Sequence, residues 1–357
     1  MSEYTASQAP SLFGIKKSNR DFSDAGSWGK NIFNSSFPTA LCCYLSSENL
    51  NANYLQFSSG KFGIHEISID ELFGTIPISD QTYFSFETPF SQYDQYIIGR
   101  NPRTDLVVST LGSDPKQTAA LEIKMTAIPD STTWTGSDSE YSAEIVVRTD
   151  TIFYLVAGLA HYNQTLLIKH FTNSLWGISD RSKPEEALSR FSGIHSVLDG
   201  FLKDPDLRQH PNIIQPVWKT NGKSAQLAEH CLDVFAWSTA GFLHFLLEIT
   251  PADGGKKVTR TMRTLIWIYS MILDIAMNGQ TDFEATIDIL SYNTKNDKAF
   301  AASGALTKSF MEHSNLTTPR ITKGAIKKII LGGGQDFLSP ERRFDAVIVN
   351  SPELFDR

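Results

Sequence analysis

The stretch ALEIKMTAIPD (120–130) carries an acid and an ammonium in the middle of an otherwise apolar run. In an extended strand, side chains two apart share a face. Leu121, Ile123 and Met125 then point one way, and Glu122 and Lys124 the other. Asp105, in NPRTDLVV, precedes Glu122 with 16 residues between them. If the two segments form an antiparallel hairpin, the start of the first lies beside the end of the second, and Asp105 and Glu122 converge. Two carboxylates and a strand carbonyl are hard oxygen ligands suited to Mg²⁺. A bound ion of that kind polarises a scissile phosphate and lowers the pKa of an attacking water. A lysine one residue beyond the second acid can orient that water, help deprotonate it or stabilise the transition state. The plain alternative is an exposed ion pair on a strand face. Glu122-Ile123-Lys124 is the only E-x-K in the chain, and the only D-x-K, Asp114-Pro115-Lys116, falls in a turn-rich stretch.

The elements that must position these residues follow from local pattern. TDLVVST and AALEIKMTAI read as neighbouring strands joined by LGSDPKQ. Upstream, a loop rich in Asn, Ser, Gly and Asp runs into a helix over TALCCYLSSENL, with Ser36 as cap and Pro38 in the first turn. Ser137-Asp138-Ser139-Glu140 resembles a capping box. SAEIVVRTDTIFYLVAGLAHY after it has the apolar spacing of a helix packed on the sheet. Beyond residue 200 the chain reads as mostly helical, with Trp237, Phe242 and Trp267 in a core. The organisation expected is one domain over 1–357 with insertions. Residues 1–200 contain the catalytic sheet, and 201–357 form a mostly helical, locally basic extension. The first ten or so residues read as disordered.

Composition narrows the class. The chain has 357 residues, 41% hydrophobic and 20% charged, as in an ordinary globular protein. Cys42, Cys43 and Cys231 offer neither a disulfide framework nor metal-ligand spacing. The adjacent pair in FPTALCCYL reads as small core residues, and such usage suits a reducing cytoplasm. No signal peptide is evident at the start, and LIWIYSMILDIAM is too short and is broken by Asp274. A soluble, cytoplasmic protein without a membrane partner is expected. The net charge of −7 is uneven: residues 1–150 hold 10 Lys/Arg against 18 Asp/Glu, and 251–350 hold 13 against 10. Two basic clusters, KKVTRTMR (256–263) and KGAIKK (323–328), permit contact with a polyanion.

Other motifs carry less. Gly254-Gly255-Lys256-Lys257 and Gly332-Gly333-Gly334 do not fit the G-x-x-x-x-G-K-[ST] phosphate loop and read as turns. The eight histidines show no zinc spacing; His161, His170 and His244 read as core or near-core residues, and His230-Cys231 has no ligand partners. No G-x-S-x-G elbow occurs. In the Trp28–Ser36 run, Lys30, Asn31 and Asn34 could meet phosphates or adenine, or simply tie down a helix entry. Arg100 and Arg103, just before Asp105, could contact backbone phosphates.

LFGIKKSNRDFSDAGSWGKNIFNSSFP, taken with ALEIKMTAIPD and the chain length, resembles the HindVP-type family of type II restriction endonucleases, within the PD-(D/E)-x-K nuclease superfamily. The likeness is seen through at least the first half. The resemblance implies an α/β fold with a nuclease-like core, a mixed central sheet flanked by helices. It also implies Mg²⁺-dependent double-strand cleavage of DNA at a short palindrome, with GRCGYC as the family's site. Asp105 and Glu122 would hold the metal and Lys124 would act on the attacking water. Thr104, not proline, precedes the first acid, with Pro102 three residues before it, so Asp105 departs from the superfamily pattern. An additional acid is implied upstream, Glu66 and Asp70 being candidates. A homodimer matched to a palindrome and a cognate DNA methyltransferase would be the partners. The competing class is a non-catalytic DNA-binding or assembly protein on the same scaffold, with Glu122 and Lys124 merely paired.

Overall fold

The structure, a computed structural model, describes residues 14–15, 17–20, 30–58, 61–75, 77–124, 126–129, 145–172, 181–221, 224–253, 255–292, 298–302, 314–317 and 320–321. Within TDLVVST and KQTAALEI, β-branched and apolar residues alternate, and the two segments form strands β4 (Thr104–Thr110) and β5 (Lys116–Ile123). They pair antiparallel, with Leu106 opposite Leu121, Val107 opposite Ala120 and Val108 opposite Ala119. The expected hairpin is therefore present. β3 (Thr82–Thr88) pairs antiparallel on the outer side of β4. Residues 17–20 lie along β3, with Asn19 N–H donating to the Phe84 carbonyl and Phe84 N–H to that of Lys17.

The other side of β5 departs from expectation. The segment after residue 200 contains two long strands, β8 (Pro211–Asn221) and β9 (Ser224–Ser238), which pair antiparallel as a hairpin. Pro211 and Pro216 weaken any helix there, and Ile213, Ile214 and Val217 favour an extended chain. β8 lies parallel to β5, with Glu122 opposite Ile213. A short strand β6 (Thr126–Pro129) continues along β8 in the same direction. β9 pairs parallel with β1 (Ala52–Ser58), and β1 pairs antiparallel with β2 (Lys61–Ile67). Among the described residues the strand order is β2-β1-β9-β8-β5-β4-β3. The mixed α/β class is borne out, but the strands after residue 200 sit in the middle of the sheet.

Helices cover both faces. On one face α1 (Lys30–Ser47) buries Phe37, Leu41, Cys42 and Leu45 against Leu106, Leu121, Ile214 and Val234. It begins earlier than expected: Ser36 and Pro38 lie inside it, and Ser36 accepts a hydrogen bond from Arg20 at 3.1 Å instead of capping. The short helix α2 (Ile69–Leu72) joins the same layer. On the other face lie α3 (Thr149–Phe171), α4 (Pro184–Leu202), α5 (Thr239–Glu248) and α6 (Arg260–Asn278). α3 starts at Thr149, because Ile145–Arg148 form strand β7, which pairs antiparallel with β10 (Lys298–Ala302). Consecutive Ile145, Val146 and Val147 are stiff at χ1 and suit a strand better than a helix entry. Gly158 lets α3 lie close, since a Cβ there would come within 2.6 Å of His210 Nε2 and 3.0 Å of the Tyr93 hydroxyl. Trp237, Phe242 and Trp267 are buried in this layer, as expected.

Asp233 on β9 is fully buried, and Arg320 Nε and Nη2 reach its two oxygens at 2.5 and 3.0 Å. Arg320 also donates to the Asn51 carbonyl at 2.6 Å, and Asn53 Nδ2 donates to Asp233 at 2.8 Å. This pair ties a C-terminal segment to the sheet. Removing one partner of a buried pair strands the other charge. Arg320→Leu is therefore expected to lower unfolding stability by about 3 kcal/mol, read from denaturant midpoints. A loss within about 0.5 kcal/mol would show that water compensates Asp233.

Candidate active site

Carried one residue beyond the Leu106–Leu121 rung, the register brings Asp105 and Glu122 together at the end of the β4–β5 hairpin, where their carboxyls interact. Such partners have Cβ atoms about 5 Å apart. By alternation they share a face with Val107 and Ala120, the face covered by α3. Leu121 and Ile123 are buried on the opposite side under α1. The Thr104 hydroxyl donates to the Leu121 carbonyl at 3.1 Å, and Asp105 Oδ2 accepts the Ile123 N–H at 2.8 Å. The end of the hairpin is closed by side chains, which leaves little freedom to splay the two acids.

Glu122 is buried, with only 5% of its surface exposed. Its Oε2 accepts from Lys124 Nζ at 2.9 Å and from the Thr151 hydroxyl at 3.0 Å. Lys124 lies just past β5, where its N–H donates to the Ile214 carbonyl of β8 at 3.0 Å. The Glu122–Lys124 pair is thus largely enclosed, which removes the reading of an exposed surface pair. Electrostatics follow from the enclosure. Burial, then the neighbouring Glu122 charge, push Asp105 up to about 7, against the opposing pull of Lys124. Burial works against the Lys124 ammonium, but Glu122 and Asp105 outweigh it and hold it above the ordinary lysine value. A lysine kept charged is a hydrogen-bond donor and charge partner.

Neither proposed upstream acid reaches this pair. Glu66 is on β2, four strand spacings from β5, or roughly 19 Å. Asp70 is on α2, whose Ile69 and Leu72 pack in the layer on the opposite face. The acid that does approach is Asp150, in the first turn of α3. Burial and the Glu122 charge raise its carboxyl above the usual range, while Arg148 and Lys124 oppose them. Sequence reasoning missed Asp150 and Thr151 because they fell inside an apolar run read as one helix. The boundary signal was the switch from Ile-Val-Val to Thr-Asp-Thr. Arg20 was also missed. Its guanidinium lies over the Phe86 ring at 4.4 Å, and its charge is felt by Asp105.

The remaining candidates are dispersed. Arg100 and Arg103 are exposed on the segment leading into β4. Lys30, Asn31 and Asn34 begin α1, which packs on the face opposite the carboxylates. Their side chains lie outside the described residues, as do Trp28, Gly29, Ser137–Glu140, the 323–328 cluster, Gly332–Gly334 and the side chains of His230 and Cys231. Cys42 and Cys43 are buried core residues. His170 meets Asp204 at 2.8 Å and His244 meets Glu248 at 3.0 Å. Among the described residues no group of three or more His, Cys, Asp or Glu side chains is placed to hold a metal ion, and no helix is long and apolar enough to cross a membrane.

Residues 28–355 match the model of the HindVP restriction endonuclease family. The chain belongs to that family. It is a type II restriction endonuclease, a site-specific deoxyribonuclease, and the match spans the C-terminal third as well as the first half. It is 43% identical to a Haemophilus influenzae protein named "Probable type II restriction enzyme HindVP", over 97% of this chain and 95% of the relative. It is 39% identical to "Type II restriction enzyme HgiDI" of Herpetosiphon aurantiacus, over 97% of each chain. No solved structure matches the chain.

The raised Asp105 has a stability consequence. Its folded-state pKa of about 7 lies above the unfolded 3.8, so folding favours the protonated form. Stability is present below the unfolded value and lost as pH rises through the folded one. Asp105→Asn, a mimic of the neutral acid, is expected to be more stable than the parent above about pH 7 by on the order of 2–4 kcal/mol. The gap should close towards about pH 4. Metal-free unfolding curves across that range test this, and a pH-independent gap would show that folding does not raise the Asp105 pKa.

Proposed function

We propose that this endonuclease has a PD-(D/E)-x-K core and makes Mg²⁺-dependent double-strand cuts at a short palindrome, GRCGYC, with Asp105, Glu122 and Lys124 as its catalytic residues. The observation that carries the reading is the opposed, enclosed pair Asp105–Glu122 with Lys124 hydrogen-bonded to Glu122. The residues present fit a hard divalent cation. Burial first, and the Glu122 charge second, raise Asp105, and a divalent cation held by the two carboxylates would offset both. The Ile123 carbonyl is the matching strand oxygen in the superfamily pattern. Bound there, Mg²⁺ supplies charge neutralisation at the scissile phosphate.

The chain's own groups do the rest. Asp105 and Glu122 would hold the ion and so set where the scissile phosphate lies. Lys124, kept as an ammonium by both acids, donates to the attacking water or to the charge growing on the phosphate. The water oxygen bonds to phosphorus as one phosphate ester bond breaks; the water's proton passes to solvent or a neighbouring oxygen, and the departing sugar oxygen takes up a proton from solvent to leave as a hydroxyl. The Thr151 hydroxyl donates to Glu122 Oε2, which also meets Lys124, and so helps orient the carboxylate that would hold the metal. A palindromic site fits a two-fold homodimer in which each subunit cuts one strand, with a cognate methyltransferase shielding host sites.

Purified protein is expected to cut unmethylated phage DNA into discrete fragments with Mg²⁺, and to leave it intact with EDTA or as Lys124→Ala, at least about 100-fold slower. Fragment ends map the site. Undigested DNA under every condition, from a folded protein, would favour the binding or assembly alternative. Thr151→Val should lower the single-turnover rate by about tenfold, with Thr151→Ser restoring most of it. Equal rates in Val and Ser variants would deny Thr151 a positioning role.

A further inference from the structure

The basic run KKVTRTMR divides once it is folded. Arg263 turns inward, where its guanidinium stacks on Trp267 at 4.3 Å and its Nη2 donates to the Ala299 carbonyl at 3.1 Å. Lys256, Lys257 and Arg260 stay exposed. The Thr264 hydroxyl also donates to the Ala299 carbonyl, at 2.9 Å, so the start of α6 is fastened to β10. β10 in turn pairs with β7, where Lys298 stands opposite Arg148. Arg148 is exposed, immediately precedes α3, and is close enough to the catalytic lysine to act on its charge. Contacts thus link Arg148, through the β7–β10 ribbon and Ala299, to the first turn of α6 at Arg260, with Lys256 and Lys257 just before it in the chain.

We infer that this ridge, Arg148 with Lys256, Lys257 and Arg260, is a track for the DNA backbone that runs away from the cut site. The inference rests on the nuclease reading above, and adds which surface carries the duplex. A cross-strand step, one residue along β10, the hydrogen-bonded step from Ala299 to Thr264 and about one helical turn separate Arg148 from Arg260, a path of roughly 20 Å at most. That distance covers several phosphates of one DNA strand. The chain as a whole carries −7, so non-specific attraction to DNA has to come from local concentrations of cation. Among the described residues, the acids adjoining these cations in sequence, Asp150 and Asp253, are fewer than the four cations.

Counterion release gives a test that catalysis does not affect. Each lost phosphate contact reduces the slope of log K against log salt by about 0.9. With full-length protein, a cognate duplex and Ca²⁺ in place of Mg²⁺, K256Q/K257Q/R260Q is expected to reduce that slope by about 2 to 3. Its cleavage rate at saturating enzyme should stay within about threefold of the parent. Lys183→Gln, on the residue capping α4 and paired with Glu186, is the matched control and should leave the slope unchanged. An unchanged slope in the triple variant, with the parent cutting normally, overturns the track and leaves the nuclease reading intact. A parent that neither binds nor cuts DNA overturns both.

Discussion

Two carboxylates that would rather be apart are held side by side under a helix, and much of this structure exists to hold them there. Asp105 and Glu122 cannot retreat into water, because the hairpin rung fixes their backbones and α3 covers their face. Their repulsion is met in part by Lys124 and in part by retention of a proton. Burying two acids together is costly unless their charge is offset. Active sites commonly store instability in this form.

Holding the pair demands support on every side. Below it, Leu121 and Ile123 lock β5 against α1, so a one-residue slip would exchange acids for apolar side chains. Beside it, β8 pairs with the last residues of β5 and continues along β6, which places β5 inside the sheet. Above it, α3 begins next to Glu122 and delivers Thr151 and Asp150 together. Gly158 brings α3 down close to His210 and Tyr93. The N-terminal segment closes the far edge along β3, with Arg20 reaching towards Asp105. The long signature that carries the family resemblance includes that arginine, which gives one physical reason for its distinctiveness.

Local pattern made the β4–β5 hairpin legible, because alternation of apolar and charged residues reports strand faces directly. It made the core legible too: Trp237, Trp267 and the paired cysteines are buried as their chemistry suggests. It misjudged residues 211–238, where the charges and prolines within the run masked two strands that owe their stability to pairing with β5 and β1. It also merged β7 into α3, since Val and Ile serve either element until a partner strand is known. α1 began early for a related reason, its interior proline being tolerated once the helix is packed.

The sequence by itself determined which residues to examine: one E-x-K, an acid a hairpin's length upstream, and residue types of the kind that suit a hard cation and a phosphodiester. Those are properties of side chains and of the two-residue strand period, and they need no distant partner. Only the tertiary structure decided which other groups join them. Asp150 and Thr151 meet Glu122, and Glu66 and Asp70 do not, because strand order and helix placement are set by burial of surfaces far apart in the chain. The same holds for the basic run at 256–263, whose four cations are indistinguishable in sequence until one is drawn beneath a tryptophan and three are left facing water.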